Sequence, residues 1–269
     1  MIKNRLYLIP LTAILFTACN FGKPTKVKPD ITRDTLTYTY QQIKQRADDC
    51  GTKADNTGCS YVDINYPEFA SQSALNDTVT RAMLTLFDSG DDNNLKTAAK
   101  NFIAEYDEYK RVMKKKPEHP FNLMLSATVT RQDSSLITIE VTGSSFSGNQ
   151  HPIASTRFLN WNTKTEKPIT LEDIFRKGYE KDFNTIAEKI FRKQENLKDT
   201  SSLARDYFFK DNKFALNNNF LITPVGIRFL YNQYEIKPYA AGITDLFIPY
   251  TQIQHLLKPN TVVAQYIKH

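Results

Sequence analysis

The chain has 269 residues and a formal net charge of +6 at pH 7, and 41% of its residues are hydrophobic. This composition excludes an intrinsically disordered chain, because it supplies enough apolar side chains for a sizeable core. After residue 18 the sequence contains no apolar stretch near the roughly 20 residues of a transmembrane helix, which excludes a chain with internal membrane spans.

The N-terminal segment has the pattern of a secretory signal. Lys3 and Arg5 precede an apolar run of 11 residues, Leu6–Phe16, which is too short to span a bilayer. The small residues that follow lead into Cys19, and this ending resembles a bacterial lipobox. The resemblance implies that residues 1–18 are a signal peptide and that Cys19 carries a lipid. The alternative is a plain signal peptide with an incidental cysteine.

Lipid on Cys19 would hold the chain at a membrane surface, because several acyl chains together bind almost permanently. Residues 19–34 contain glycine, prolines and lysines with few apolar residues, which predicts a tether between lipid and fold. We therefore expect a lipid-anchored protein of the cell envelope, at the periplasmic or surface face of the outer membrane. We expect such an exported chain to have the membrane as a partner and to bind no nucleic acid.

The two remaining cysteines, Cys50 and Cys59, flank a polar loop with two glycines. Residues on either side of this loop favour strands, over Leu36–Ile43 and Cys59–Tyr66, and Pro67 is expected to end the second strand. In an oxidising compartment the two cysteines predict a disulfide that closes the loop. The alternative is a pair of metal ligands, although no histidine lies near either cysteine in the sequence.

Two amphipathic helices are predicted next, from apolar residues at helical spacing over 75–86 and 95–113. Ser71 or Ser73 is expected to cap the first helix. The second ends in a basic cluster, Lys110–Lys116, and Pro117 follows it, as suits a helix C-terminus. The basic cluster is either a contact for anionic glycans or lipid head groups, or a solvated helix end.

The rest of the chain predicts further strands and helices. The expected strands are Leu123–Val129, Ile137–Val141, Phe158–Trp161, Phe220–Ile222, Ile227–Tyr231 and Leu246–Ile248. Helical patterns lie at 183–190 and 251–257, and Thr170–Asp173 has the form of a capping box. Because strands and helices occur in clusters rather than in strict alternation, we expect an α+β fold with a largely antiparallel sheet packed by several helices.

Signals of catalysis are weak in this sequence. Gly143–Gly148 nearly matches a nucleophile elbow, but Ser147 stands where the closing glycine belongs, so a flexible loop after a strand is expected. The four histidines lack the spacing of a zinc site. His151 lies between two predicted strands. It is either a general base, a contact for a partner or a loop histidine without a role. We therefore expect no enzyme activity, no metal and no cofactor.

The segment Phe220–Tyr250 has the most distinctive sequence pattern of the chain. It predicts two strands joined by a turn, followed by a tyrosine-rich loop that ends at Gly242. Tyr231, Tyr234 and Tyr239 combine rigid apolar area with hydroxyl groups, which suits a recognition surface. The alternative is that these rings pack the loop onto its own sheet.

The segment Gln150–Tyr250, with its Thr170–Phe175 run and Asn160–Asn162, resembles the extracellular domain of lysozyme-sensing anti-sigma factors (RsiV-like). The same domain occurs as an accessory module of peptidoglycan deacetylases and in envelope lipoproteins. Leu36–Phe146 is similar to the companion domain that usually precedes it. The resemblance implies an N-terminal α+β part over residues 35–148 and a C-terminal α+β part over 149–269. Glu166 stands where the family's hairpin turn usually has glycine.

We expect a non-catalytic, stand-alone envelope lipoprotein that binds an envelope-associated ligand, either a peptidoglycan-type glycan or a lysozyme-like protein. The ligand contacts expected are Tyr231, Tyr234, Tyr239 and His151. Charge argues against lysozyme, which is strongly basic, because removal of residues 1–18 lowers the formal charge only from +6 to +4. The alternatives are a cell-wall-acting enzyme and a structural lipoprotein of an envelope protein assembly.

Overall fold

The computed structural model describes residues 35–51, 58–87, 92–148 and 151–267. The predicted signal peptide, the tether and Cys19 lie outside the described residues, as do residues 52–57 of the loop between the cysteines. Among the described helices, none combines the length and the apolar character that crossing a membrane requires.

The first sheet has six strands in the order of the chain. They are β1 (Tyr38–Arg46), β2 (Tyr61–Phe69), β3 (Asn122–Asp133), β4 (Leu136–Phe146), β5 (Ile153–Asn162) and β6 (Lys167–Pro168). All neighbours pair antiparallel except β2 and β3, which are parallel. The parallel pair follows from the long helical connection between these two strands, since a parallel pairing needs a crossover.

Two helices form that crossover and cover one face of the first sheet. They are α1 (Ser73–Leu84) and α2 (Leu95–Met113), and their apolar stripes pack against β-strand side chains such as Ile64, Leu125 and Ile139. Asn94 caps α2 by accepting a hydrogen bond from Thr97 N at 2.9 Å. The expected serine cap of α1 is wrong, because Gln72 occupies the cap position and Ser73 is already helical.

The second sheet has three antiparallel strands and its own aromatic core. Its strands are β7 (Phe220–Ile222), β8 (Gly226–Tyr231) and β9 (Thr244–Pro249), and the helices of this region are α3 (Leu171–Ile174), α4 (Glu180–Gln194) and α5 (Tyr250–Ile253). Phe183 and Phe191 of α4 pack on the sheet side chains Phe229 and Tyr231 within one buried cluster.

Asparagine side chains join the two sheets along the free edge of β5. Asn160, which is 5% exposed, donates to and accepts from the β7 backbone at 2.7 and 2.9 Å. From the other direction, Asn219 accepts from and donates to the β5 backbone, both at 2.8 Å. Each amide therefore satisfies one N–H and one C=O group, as a neighbouring strand would. We call these asparagines the seam.

The seam brings together the faces of the two sheets that lie opposite the helices. Phe158 of the first sheet packs with Leu221 and Leu230 of the second, and all three point away from the helices. The guanidinium of Arg228 lies 5.1 Å from the centroid of the Phe158 ring and forms an ion pair with Asp245. A third, smaller buried cluster thus lies on the side of the strands opposite the helices.

The fold class expected from the sequence is confirmed, since the described residues form an α+β fold with mostly antiparallel strands. The capping box is also present, because Thr170 N donates to Asp173 Oδ2 at 2.7 Å. The expected division at residues 148/149 does not separate the sheets. β5 follows that boundary, yet it pairs with β4 over ten positions and belongs to the first sheet.

The expected end of β2 at Pro67 is wrong, because this strand continues to Phe69. The reason lies in its two neighbours. β1 pairs with β2 along its whole length, whereas β3 pairs with it only as far as Asn65. Beyond that point one edge of β2 has no partner strand, so the missing N–H of Pro67 leaves no ladder bond unmade.

The disulfide between Cys50 and Cys59 is confirmed. It closes the loop after β1, where Asp49 accepts hydrogen bonds from Tyr106 Oη and forms ion pairs with Lys110 and Lys116. The C-terminal end of α2 is thereby fixed to the disulfide loop. Part of the basic cluster is consequently paired with the carboxylate of Asp49 rather than fully solvated.

Candidate functional site

Three aromatic rings form a stack beside the N-terminal end of β5. His151 and Tyr239 are parallel, with ring centroids 5.3 Å apart and an interplanar angle of 14°. Tyr234 follows on Tyr239 at 5.3 Å and 37°. Tyr239 Oη also donates to the carbonyl of Pro152 at 3.4 Å. We call these three rings the aromatic ladder; it brings together residues 83 and 88 positions apart in the sequence, by their numbering.

The tyrosine-rich loop between β8 and β9 holds two of the three rings, and it is fixed to β5. Asn232 Oδ1 accepts from Thr156 N at 2.8 Å, and Asn232 Nδ2 donates to Thr156 O at 3.1 Å. Glu235 closes the turn by accepting from Asn232 N at 2.8 Å and from Asn217 Nδ2. The loop is therefore preorganised, which lowers the entropic cost of binding a ligand.

The far side of the same loop is attached to the end of α4. Lys237 Nζ lies 3.3 Å from Glu195 Oε1, and the two side chains are only 12% and 19% exposed. Tyr207 Oη donates to the other oxygen of Glu195 at 3.0 Å. Burial, followed by the hydrogen bond to Glu195, raises the pKa of Tyr207 above its usual range. Because its pKa is raised, the partly buried hydroxyl of Tyr207 stays protonated and can hold the Glu195 carboxylate in place.

The backbone of Tyr234 is in the left-handed region, with φ of 65°. It lies inside a turn closed by a hydrogen bond from Glu235 N to Asn232 O at 3.2 Å. This conformation is unfavourable for a large side chain, and such outliers persist where the surrounding structure imposes them. The ring of Tyr234 is 63% exposed, so the strained turn presents an aromatic face to solvent.

The structure brings together three of the four residues expected to contact a ligand, and Tyr231 is not among them. Tyr231 is 1% exposed, and its hydroxyl donates to Ala215 O at 2.8 Å within the aromatic core. Burial raises the pKa of this hydroxyl well above its usual value. Tyr231 alternates with its neighbours along β8 and points toward α4, so it packs the sheet instead of lining the ladder.

Exposed apolar side chains accompany the ladder. Ile153 follows His151 by two residues, and Ile243 follows the loop directly. Phe208 is also exposed, and its N–H donates to Ile236 O in the loop at 2.9 Å. Exposed apolar side chains that occur together are typical of a binding surface, whereas isolated ones are common everywhere.

The segments with weak catalytic signals adopt ordinary structure. Gly143–Phe146 is the C-terminal end of β4, and its residues 143–145 pair with β5. This extended segment does not form the strand-to-helix turn of a nucleophile elbow. Among the described residues, no group of three or more His, Cys, Asp or Glu side chains is placed to hold a metal. His119 contacts the Phe146 ring at 6.2 Å, apart from the ladder stack.

Sequence patterns could indicate the tyrosine loop but not its contact with His151. Tyr234 and Tyr239 were visible as close tyrosines before a glycine, and His151 as a histidine between strands. Their stacking depends on Asn232, whose side chain imitates a β-strand edge. Asparagine in a loop ordinarily indicates a turn, so no sequence signal distinguishes this amide from any other.

Two family models match parts of the chain. The model described as a protein of unknown function (DUF3298) matches residues 172–251, and the model described as deacetylase PdaC matches residues 53–154. His151 lies in the PdaC-like region, while Tyr234 and Tyr239 lie in the DUF3298 region. The aromatic ladder is therefore formed jointly by the two matched regions. No curated protein matches this chain.

Two solved structures are similar over most of the chain. A DUF3298 family protein from Pseudomonas aeruginosa is 21% identical with a TM-score of 0.67, covering 84% of this chain and 96% of that one. A member of the same family from Bacteroides fragilis is also 21% identical with a TM-score of 0.67, covering 86% and 97%. At this level of identity the similarity shows a shared fold.

Proposed function

We propose that this protein is a non-catalytic binding protein of the cell envelope that recognises a peptidoglycan-type glycan through the aromatic ladder. The observation that carries the proposal is the stack of His151, Tyr239 and Tyr234 on a loop attached at both ends. Rings fixed in this way bind with little loss of conformational freedom.

Aromatic side chains suit a sugar ligand for a physical reason. One face of a pyranose ring presents mainly C–H groups, which pack on an aromatic face and bury apolar area, while hydroxyl groups at the ring edge keep their hydrogen bonds. Tyr234 offers an exposed face and a free phenol edge for such a contact.

The envelope location and the lipid anchor are part of the same proposal. They are supported by the signal-like segment before Cys19 and by a disulfide, which forms in oxidising compartments outside the cytoplasm. The resemblance to RsiV-like domains agrees with this location. The proposal of a non-catalytic role is supported by the ordinary strand geometry at Gly143–Phe146.

A lysozyme-like protein is the second candidate ligand, and the exposed apolar residues favour it. Ile153 and Ile243 lie close in sequence to the ladder residues, and Phe208 bonds to the tyrosine loop through its backbone. Each adds exposed apolar area of the kind found at the centre of protein interfaces. The net positive charge opposes long-range attraction to a basic partner. For this reason we rank the glycan first.

Co-sedimentation of the full chain with insoluble peptidoglycan, beside a binding assay with lysozyme, tests the proposal. We expect saturable sedimentation that Tyr234→Ala and Tyr239→Ala each weaken several-fold. Tyr40→Ala, which removes an exposed tyrosine from the edge strand β1, is the matched control and should leave sedimentation unchanged. Binding to lysozyme alone, lost in the two ladder variants, would replace the glycan with the second candidate.

Release of soluble sugar or acetate from the same peptidoglycan is measured in parallel. We expect no turnover. Product formation that the native chain shows and a heat-denatured sample lacks would contradict the non-catalytic proposal and support a cell-wall-acting enzyme.

A further inference from the structure

A cleft of about 680 Å³ lies at the opposite end of β5 from the aromatic ladder. The ladder stands where β5 begins, near Ile153, and the cleft opens where β5 ends, at Asn162. Ten strand residues separate these ends by roughly 30 Å. The cleft has the volume of a small-molecule site and cannot be a part of the ladder.

Three segments distant in sequence form the walls of this cleft. They are the turn between β3 and β4 at Ser134–Ser135, the β5–β6 hairpin with Lys164 and Lys167, and the C-terminal residues 260–265. Gln265 Nε2 donates to Ser134 O at 3.0 Å, and Thr163 N donates to Ser135 O at 3.1 Å. These bonds hold the walls at fixed distances, so the cleft is present before a ligand arrives.

The lining combines an apolar floor with a polar rim. Ile169 and Val262 provide apolar surface, and amide and hydroxyl groups such as those of Asn260 and Thr261 line the edge. An apolar floor with a few converging polar groups is the usual composition of a small-ligand site. Ring C–H groups suit the floor, and ligand hydroxyl groups suit amides that both donate and accept.

The charges of the rim favour a negatively charged ligand. Lys164 and Lys167 both line the cleft, and the only carboxylate of the lining, among the described residues, is Asp173. Asp173 accepts hydrogen bonds from the backbone N and the hydroxyl of Thr170, so its charge is already compensated within the capping box. The ammonium group of Lys167 is therefore the charge assigned to a ligand.

We propose that this cleft is a second binding site, specific for a saccharide that carries a carboxylate group. The sugar ring packs on the floor of Ile169 and Val262, and its carboxylate pairs with Lys167 at the rim. This site does not rest on the aromatic ladder, and each can fail without the other.

Isothermal titration of the full chain with two tetrasaccharides tests the proposal. A hyaluronan tetrasaccharide carries glucuronate carboxylates, and a chitin tetrasaccharide carries N-acetylglucosamine without them. We expect the acidic compound to bind at least about 5-fold more tightly, as one charge-assisted hydrogen bond allows. Lys167→Gln should remove most of this preference, and Lys167→Arg should keep it.

The matched control is Lys189→Gln, which removes one positive charge from an exposed position on α4. If Lys167→Gln and Lys189→Gln weaken binding equally, the effect is general charge and the cleft is not the site. Equal affinity for the two tetrasaccharides, or no saturable binding of the acidic one up to about 10 mM, would also overturn the proposal.

Discussion

Two exposed residues share a strained backbone conformation but differ in what their side chains do. Tyr234 has φ of 65° in the tyrosine loop, and Glu166 has φ of 53° in the β5–β6 hairpin. Glycine adopts this region without steric cost, whereas any other residue there destabilises the folded state. The Tyr234 ring stacks on Tyr239, while Glu166 has an exposed side chain.

Replacement by glycine therefore separates strain from function. We expect Glu166→Gly to raise the free energy of unfolding by up to about 1 kcal/mol and to leave glycan binding at the aromatic ladder unchanged. Tyr234→Gly should relieve the same strain and yet weaken glycan binding several-fold, because it removes a ring of the ladder. Urea unfolding and co-sedimentation of both variants measure the two effects. Unchanged binding in Tyr234→Gly would show that this ring does not contact the ligand.

Asp49 links pH to the stability of the disulfide loop. Its burial acts to raise its pKa, but the hydrogen bonds from Lys116, Tyr106 and Lys110 outweigh burial, so its pKa lies below the ordinary value. A carboxyl group with a lowered pKa in the folded state stabilises the fold above its unfolded pKa. This stabilisation disappears as the pH falls through the folded-state pKa.

We expect Asp49→Asn to lower the free energy of unfolding by about 1 kcal/mol at pH 7, as for a loss of charge-assisted hydrogen bonds. At a pH below the lowered pKa of Asp49, native and variant should have equal stability. Asp48→Asn, at the neighbouring exposed position, is the control and should behave as the native chain at every pH. A difference for Asp49→Asn that persists in acid would contradict the assignment.

At the scale of elements, the seam decides how the sheets are joined. Asn160 satisfies the carbonyl of Phe220 and the N–H of Ile222, both buried. We expect Asn160→Ala to lower the free energy of unfolding by about 2–4 kcal/mol, because both groups lose their partner without access to water. Asn65→Ala, on the half-exposed face of β2, should change it by less than about 0.5 kcal/mol.

Urea denaturation followed by circular dichroism gives both free energies. A loss in Asn160→Ala no larger than that in Asn65→Ala would mean that apolar packing alone holds β7 beside β5.

The helices and most strands could be predicted from the sequence because apolar residues recur in each with the period of that element. The apolar spacing of α2 and the alternation in β3 and β4 reflect burial on one side, which is a local property. Pro67 misled the prediction for β2, because its effect depends on where β3 stops pairing. Propensity carries no information about a neighbouring strand that lies far away in the sequence.

The candidate site could be predicted only in part for a related reason. Tyrosines near a glycine indicate a loop that presents rings, and this applies to Tyr234 and Tyr239. Tyr231 lies in the same tyrosine-rich segment, but it is the last residue of β8. The alternation of side chains along that strand directs its ring into the core. The contact with His151 and the cleft at the end of β5 both result from tertiary pairing, which no local pattern encodes.

At the scale of the whole molecule, β5 belongs to both halves. It pairs with β4 in the first sheet and carries the seam to the second. Trp161, the only tryptophan, lies in β5 and is buried in the core of the first sheet. Neither core can therefore unfold without exposing the edge on which the other depends.

We expect a single cooperative unfolding transition in the full chain. Trp161 fluorescence reports on the core of the first sheet, and far-UV circular dichroism reports on all elements, so their urea midpoints should coincide. Two separated midpoints would show that the regions matched by the two family models unfold independently.

The central claim is that the aromatic ladder, with Tyr239 at its centre, binds a peptidoglycan-type glycan. The measurement that tests it most directly is the dissociation constant of the full chain for a soluble peptidoglycan fragment, compared between native protein, Tyr239→Ala and Tyr239→Phe. We predict that Tyr239→Ala weakens binding at least about 10-fold, or about 1.4 kcal/mol, while Tyr239→Phe binds nearly as the native chain. Equal dissociation constants for all three proteins would contradict the account.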